Sequence, residues 1–152
     1  MLDRETGLVW ERDPVTAHPF NTSANWGNAK PFCVQAMTGG RAGWRLPFIH
    51  ELASLFDTSV AFPLLALPAG HPFLNVVAGQ YWSATEQASF PGVVAFAVKF
   101  QGKLGVLTEL ETSAENVWCV RGGGSLCNTI KSPRVLNLAA KSEQIDLEAK
   151  NV

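Results

Sequence analysis

The sequence predicts an α+β fold in which two helices precede a small antiparallel sheet. Apolar residues recur at helical spacing within residues 23–56, whereas residues 81–121 contain short β-prone runs separated by turn residues. The 152 residues suffice for one domain with its own hydrophobic core, and a second full domain is not expected. Because 47% of the residues are apolar and only 16% are charged, the composition excludes a chain that is disordered throughout.

The first helix is predicted at residues 23–37, after a turn at residues 3–7 and a short strand at residues 8–10. Its apolar residues recur on one helical face, and either Ser23 or Asn25 begins the pattern, with Ser23 available as the N-cap. Pro31 weakens this helix because proline lacks a backbone N–H. Two glycines at residues 39–40 are expected to end it.

The second helix is predicted from Pro47 to about Phe56, because proline fits a first helical turn and the following apolar residues share one face. Residues 41–47 before it show no regular pattern. Residues 57–77 are rich in proline and predict a long loop. Four apolar side chains are expected to pack this loop onto the domain: Phe62, Leu64, Leu67 and Phe73.

The sheet is predicted from four runs, at residues 81–84, 93–100, 104–107 and 116–121. Gln101 and Gly102 form the predicted hairpin turn between the second and third runs. Large residues alternate with smaller or polar ones at residues 94–100, which predicts that one face of the sheet lies in the core.

A glycine run at residues 122–124 marks the predicted end of the domain, which spans residues 1–123. The remaining C-terminal extension, residues 124–152, is more polar and contains no Trp, Phe or Tyr. It is expected to order on a partner, or to donate a strand or helix to a neighbouring copy and so form a homo-oligomer.

The charge and hydropathy patterns argue against two classes of partner. The formal net charge is -1 and no run of basic residues interleaves with aromatic ones, so nucleic-acid binding is not expected. No apolar run approaches the roughly 20 residues of a membrane-spanning helix, so membrane insertion is not expected either. The sequence leads directly into the charged residues 3–5 and does not resemble a signal peptide, which says little about the compartment.

Catalytic chemistry and cofactors are not expected. The three histidines His18, His50 and His71 lack metal-ligand spacing with the cysteines, which favours surface or loop positions. A Cys-His nucleophile at Cys127 lacks any supporting flanking sequence. The sequence therefore predicts neither an enzyme nor a metal centre.

Three glutamates and five tryptophans each admit a binding interpretation and a plainer one. Glu109, Glu111 and Glu115 cluster before the last strand, where they form a calcium site or, as we favour, solvated loop charges. The tryptophans form a sugar-stacking platform or, as we favour, pack in the core. These tryptophans are Trp10, Trp26, Trp44, Trp82 and Trp118.

Three cysteines leave at least one unpaired within the chain. Spacing alone leaves open a bridge between Cys33 in the first helix and Cys119 in the last strand, or two buried free thiols. Closing a loop of that length contributes about 4 kcal/mol in the entropic model. Cys127 is then either free or linked to another chain.

An ordered set of short motifs carries a resemblance to a known family. The motifs lie at residues 2–10 (LDRETGLVW), 39–40 (GG), 44–47 (WRLP), 51–52 (EL), 81–83 (YWS) and 117–123 (VWCVRGG). In this order the sequence resembles the Lcl C-terminal domain family, named for the C-terminal domain of a bacterial collagen-like adhesin. The likeness covers residues 2–123.

The resemblance implies a C-type-lectin-like fold that is secreted or displayed on a bacterial cell surface, hence extracytoplasmic. It also implies that Cys33 and Cys119 form a disulfide. The named member is an adhesin for host glycosaminoglycans, so we expect an adhesion or binding module for a glycan or a protein. Because the calcium-dependent sugar motifs of animal lectins are absent, this binding is expected to be calcium-independent.

Ligand contact is expected on the loops of the second half, because loops on a rigid scaffold vary without loss of the fold. Lys99 and Lys103, together with Arg12, Lys30 and Arg41, are candidates for a basic strip that binds sulfated glycans. An alternative function is a structural subunit of a surface assembly that associates through the extension. The candidate ligand contacts are Glu86, Gln87, Ser89, Phe90, Lys99, Lys103, Thr108 and Glu109.

Overall fold

Short strands and helices alternate along the computed structural model, which describes residues 1–17, 23–61, 63–102 and 105–123. The helices are α1 (Pro14–Ala17), α2 (Trp26–Gln35) and α3 (Ile49–Ala53). The strands are β1 (Val9–Trp10), β2 (Ser23–Ala24), β3 (Trp44–Arg45), β4 (Gln80–Glu86), β5 (Val94–Lys99), β6 (Gly105–Leu110), β7 (Glu115–Asn116) and β8 (Val120–Arg121). The mixture of helices and sheets agrees with the predicted class. No helix in these residues is long and apolar enough to cross a membrane.

The strands form two sheets rather than the single small antiparallel sheet that was predicted. One sheet has three strands in the order β1-β8-β3, and the other has five in the order β2-β7-β4-β5-β6. The pairing of β4 with β7 is parallel, with Tyr81 opposite Asn116. Residues 116–121, predicted as one strand, divide between β7 and β8 because the chain crosses from one sheet to the other there. Trp44 and Arg45, predicted to be irregular, form β3.

Helix α2 is shorter than predicted and has a different cap. The side chain of Asn25 accepts a hydrogen bond of 3.0 Å from the N–H of Asn28, whereas Ser23 lies in β2. The helix contains Pro31 and ends at Gln35, because the backbone of Ala36 is already extended. The predicted stop at residues 39–40 is therefore several residues too late.

Helix α3 is also shorter than predicted, and Pro47 precedes it instead of starting it. Its N-cap is Phe48, whose N–H donates to Glu51 Oε2 at 2.8 Å. The helix ends at Ala53, and tight turns carry the chain on to Phe56, whose N–H donates to the carbonyl of Ala53 at 3.0 Å.

The long proline-rich loop is tied to the sheet by main-chain hydrogen bonds. The N–H of Ala66 donates to the carbonyl of Phe100 at 3.1 Å. Of the side chains expected to pack this loop, Leu67 is buried and Phe73 is partly buried. Leu64 is 65% exposed, so the prediction that it packs inward is wrong. Phe62 lies outside the described residues.

Two hydrophobic clusters flank the five-stranded sheet, so both of its faces are buried near the centre. Successive side chains of β5 alternate between the clusters, with Ala95 and Ala97 in one and Val98 in the other. The sequence pattern predicted burial of one face, and the structure buries the second face as well. The small side chains of Ala95 and Ala97 leave room in their cluster for three tryptophans, Trp26, Trp44 and Trp82.

All five tryptophans lie in these clusters with at most 6% of their surface exposed. Their indole N–H groups bind main-chain carbonyls in four cases, for example Trp82 Nε1 to Ala24 at 2.7 Å and Trp26 Nε1 to Ser83 at 2.8 Å. The tryptophans therefore offer no exposed platform on which a sugar ring could stack.

Candidate binding surface

A disulfide between Cys33 and Cys119 joins α2 to the segment that precedes β8. This is the pairing that the family resemblance implies. The two residues are 86 positions apart in the sequence, and both are fully buried. The bridge therefore fixes the position of α2 against the sheets. Cys127 lies outside the described residues.

Glu11 is a buried carboxylate that sequence reasoning did not single out. Its Oε2 accepts a hydrogen bond of 2.9 Å from the N–H of Cys119, and its Oε1 accepts one of 2.7 Å from the hydroxyl of Thr38. Its main-chain carbonyl accepts a hydrogen bond of 2.9 Å from Trp118 Nε1. These bonds make Glu11 part of the scaffold around the disulfide.

Arg45 likewise serves the scaffold. Its guanidinium donates to the carbonyls of Leu46 at 3.1 Å and of Gly122 at 3.0 Å. The same group forms a bidentate ion pair with Glu51, at 2.7 Å for each hydrogen bond. A guanidinium engaged in this way is not free to bind a ligand.

Two loops meet at one end of the five-stranded sheet and form a shared surface. The loop after β4 is folded on itself, with the N–H of Phe90 donating to Gln87 at 3.0 Å. The turn after β6 is joined to it through Glu111, whose N–H donates to the carbonyl of Val93 at 2.9 Å. We call residues 86–93 and 110–114 together the loop surface.

Three apolar side chains project from the loop surface. Phe90, Val93 and Leu110 are 57%, 51% and 53% exposed. They sit on a scaffold whose neighbouring strands are buried, so their position is set by the sheet. Sequence reasoning named Phe90 but missed Val93 and Leu110, because their outward orientation depends on the strand register.

Carboxylates make the loop surface acidic. Partial burial, and next the negative charge of Glu86, raise the pKa of Glu111 above its ordinary value, while Lys30 acts in the opposite direction. Partial burial and then the charge of Glu109 raise the pKa of Glu115. The two pairs show that like charges lie close together at this end of the sheet.

Lys30 is a positive charge that acts on one of these carboxylates, because it lowers the pKa of Glu111. Its Nζ lies 3.2 Å from the centre of the Trp26 ring, and the N–H of Trp26 donates to the carbonyl of Glu111 at 3.0 Å. The cation–π contact thus holds Lys30 on Trp26, whose main chain is bonded to the loop surface at Glu111.

The eight predicted contact residues do not form one site. Glu86, Gln87, Ser89 and Phe90 lie in or beside the loop after β4, and Glu109 lies across β5 from Glu86, since both residues pair with Ala95. Thr108 is next to this group and exposed.

Lys99 lies at the opposite end of the sheet from the loop surface. It pairs with Gly105, five residues along β5 from Val94, which corresponds to about 16 Å. Lys103 lies outside the described residues. The acidic candidates and Lys99 thus belong to different ends of the sheet.

Histidine and carboxylate positions give no metal centre within the described part of the chain, where no three such side chains or cysteines gather. His50 stacks on Phe48 with ring centres 5.9 Å apart, and His71 stacks on Phe73 at 6.0 Å. His18 lies outside the described residues.

A comparison with protein families gives a match to the family model of the Lcl C-terminal domain over residues 1–121. The chain belongs to this family. Comparison with curated proteins gives no match. In this Lcl C-terminal domain the matched region includes both disulfide cysteines, all five tryptophans and the loop surface, and it ends at the last residue of β8.

Proposed function

We propose that this Lcl C-terminal domain is an extracytoplasmic adhesion or binding module that recognises a glycan or a protein through its loop surface, without calcium and without catalysis. The observation that carries the proposal is the exposure of Phe90, Val93 and Leu110 on a rigid sheet end. Exposed apolar side chains held by a scaffold and bordered by polar ones are typical of recognition surfaces. Family membership supports the adhesin-like role.

The chemistry of the loop surface favours a neutral or cationic ligand. An exposed aromatic ring such as Phe90 can stack on the apolar face of a sugar, and carboxylates such as Glu86 accept hydrogen bonds from hydroxyl groups. Sulfate groups would be repelled by Glu86 and Glu111. A sulfated glycan would instead have to bind near Lys99, at the other end of the sheet.

The architecture also supports a C-type-lectin-like fold as part of this proposal. Two sheets, a disulfide that joins a helix to a late segment, and a long loop between α3 and β4 fit that description. The buried disulfide favours an oxidising compartment, and hence an extracytoplasmic location. Self-association through residues 124–152 remains an alternative prediction, since that extension lies outside the described residues.

The test is binding of the purified chain to an array of neutral and sulfated glycans, with and without EDTA. We expect selective binding that EDTA leaves unchanged. Phe90→Ala should weaken binding to a neutral glycan at least tenfold, whereas Val34→Ala should not. Val34 is the matched control because it is 66% exposed near the far end of α2.

Lysine variants separate the two ends of the sheet. If a sulfated glycan binds, Lys99→Ala and Lys103→Ala should weaken it, and Phe90→Ala should not. Equal affinity of all these variants for every ligand on the array would contradict the proposal. Binding that EDTA abolishes would contradict its calcium independence.

A further inference from the structure

We propose that β6 is a dimerisation edge, at which two copies of this chain pair their β6 strands antiparallel across a two-fold axis. This proposal does not depend on the ligand-binding function above. It concerns the open side of the five-stranded sheet, which shares Leu110 with the loop surface and where β6 has β5 on one side and no strand on the other within the described residues.

The direction of the main-chain hydrogen bonds shows which N–H groups of β6 point away from β5. The N–H of Glu111 points toward β5, because it donates to Val93. In an antiparallel ladder the direction alternates at every residue, so the main-chain N–H groups of Val106, Thr108 and Leu110 point away from β5. These three N–H groups, at every second residue of β6, form a template for another strand.

The edge also lacks the features that usually prevent such pairing. The six residues of β6 include no proline and no lysine, and Glu109 is their one charged residue. The side chains of Val106 and Leu110 are 48% and 53% exposed, so neither is covered by the fold. Val106, Thr108 and Leu110 are therefore exposed within the described part of the chain.

The sequence of β6 is complementary to itself in one register. When Thr108 lies opposite Thr108 of the other copy, Val106 lies opposite Leu110 twice, giving two apolar pairs around a central threonine pair. Each residue whose main-chain N–H points away from β5 then lies opposite another such residue of the second copy. A two-fold interface requires this kind of self-complementarity.

Charge favours the same antiparallel arrangement. The end of β6 that leads to Glu111 is acidic, whereas its beginning at Gly105 pairs with Lys99 and follows Lys103 in the sequence. Antiparallel pairing places the acidic end of each copy beside the lysine end of the other. A parallel pairing would place like charges together, so a second copy fits this edge in one direction only.

A cysteine scan of the full chain tests the register, in a Cys127→Ser background that removes the odd thiol. Opposed residues of a hydrogen-bonded pair have Cα atoms about 5.5 Å apart, within the range of a disulfide. Thr108→Cys should therefore give a covalent dimer on mild oxidation. Val106→Cys is the matched control, because the two copies of this residue would be about 13 Å apart.

Sedimentation velocity of the full chain tests the edge itself. The wild-type chain should form dimers whose dissociation constant rises with salt. Thr108→Pro removes an outward N–H and should raise that constant at least tenfold, whereas Thr108→Val keeps the N–H and should preserve the dimer. If Thr108→Pro does not fold, the cysteine scan still decides.

The outcomes are unambiguous. A wild-type chain that stays monomeric at all accessible concentrations overturns the proposal, as do equal crosslinking yields at positions 106 and 108. A dimer that crosslinks through Thr108→Cys and not through Val106→Cys supports it. A dimer that persists in a folded Thr108→Pro variant overturns it.

Discussion

Arg45 and Glu51 form a bidentate ion pair in which both guanidinium nitrogens donate to the two carboxylate oxygens at 2.7 Å. The pair connects the last residue of β3 to the first turn of α3, and Arg45 also reaches the carbonyl of Gly122 beyond β8. Only 10% of the Glu51 side chain is exposed. One ion pair thus holds together three separate segments of the chain.

Glu51→Gln should lower the free energy of unfolding at pH 7 by about 2 kcal/mol, because it removes charge from two hydrogen bonds and leaves the Arg45 guanidinium less well paired. Denaturant unfolding of wild type and variant measures the difference. Glu5→Gln is a suitable control, since Glu5 is exposed. Equal stability of Glu51→Gln and wild type would show that the pair is not needed.

The same pair predicts a pH dependence. Burial alone would raise the pKa of Glu51, but its hydrogen bonds from Arg45 and the N–H of Phe48, and the Arg45 charge, together lower the pKa below the ordinary 4.5. The stabilisation is therefore fully present above pH 4.5 and lost as pH falls through the lowered pKa. The stability difference between wild type and Glu51→Gln should shrink over that acidic range.

Glu111 should show the opposite pH dependence. Its pKa is raised by burial and by Glu86, so its ionised form is less favourable in the folded than in the unfolded chain. Glu111→Gln should therefore raise the melting temperature at pH 7. The gain should vanish as pH falls below 4.5, where the wild-type carboxyl is protonated in both states. A variant that is less stable at pH 7 would contradict this assignment.

Local sequence patterns predicted the longer helices and strands, which carry a signal within their own residues. Helical spacing located α2 and α3, and β-prone runs located β4, β5 and β6, because these signals depend on neighbouring residues. The errors arose where pairing with a distant segment determines the local structure. β2 and β3 are two-residue strands that exist because β7 and β8 pair with them.

The buried position of Glu11 could not be predicted from the sequence around it. A glutamate next to Trp10 and Arg12 resembles a surface residue, since isolated carboxylates are seldom buried. Its hydrogen-bond partner Cys119 is 108 positions away. The loop surface poses the same difficulty, because the contact between Val93 and Glu111 follows from the β5–β6 register.

Trp118 should be the most sensitive core position. Its ring centre lies 4.7 Å from that of Phe73, 5.7 Å from that of Trp10 and 5.9 Å from that of Phe100. Trp118→Ala should lower the free energy of unfolding by about 3–5 kcal/mol because it leaves a large cavity. Trp118→Phe should cost less than Trp118→Ala because it keeps part of the packing. It still loses the hydrogen bond to the carbonyl of Glu11. Thermal unfolding followed by near-ultraviolet circular dichroism measures both.

Loss of the disulfide should destabilise the domain by about 2–5 kcal/mol. The double variant Cys33→Ala/Cys119→Ala frees the unfolded chain from a crosslink that spans 86 positions, and it removes a contact between α2 and the sheets. Cys127→Ser is the control and should unfold like wild type, because Cys33 and Cys119 pair with each other. Thiol titration of the unfolded monomer, without reductant, should find one free thiol per chain. Two or more free thiols, or a Cys127→Ser variant as unstable as the double variant, would contradict this pairing.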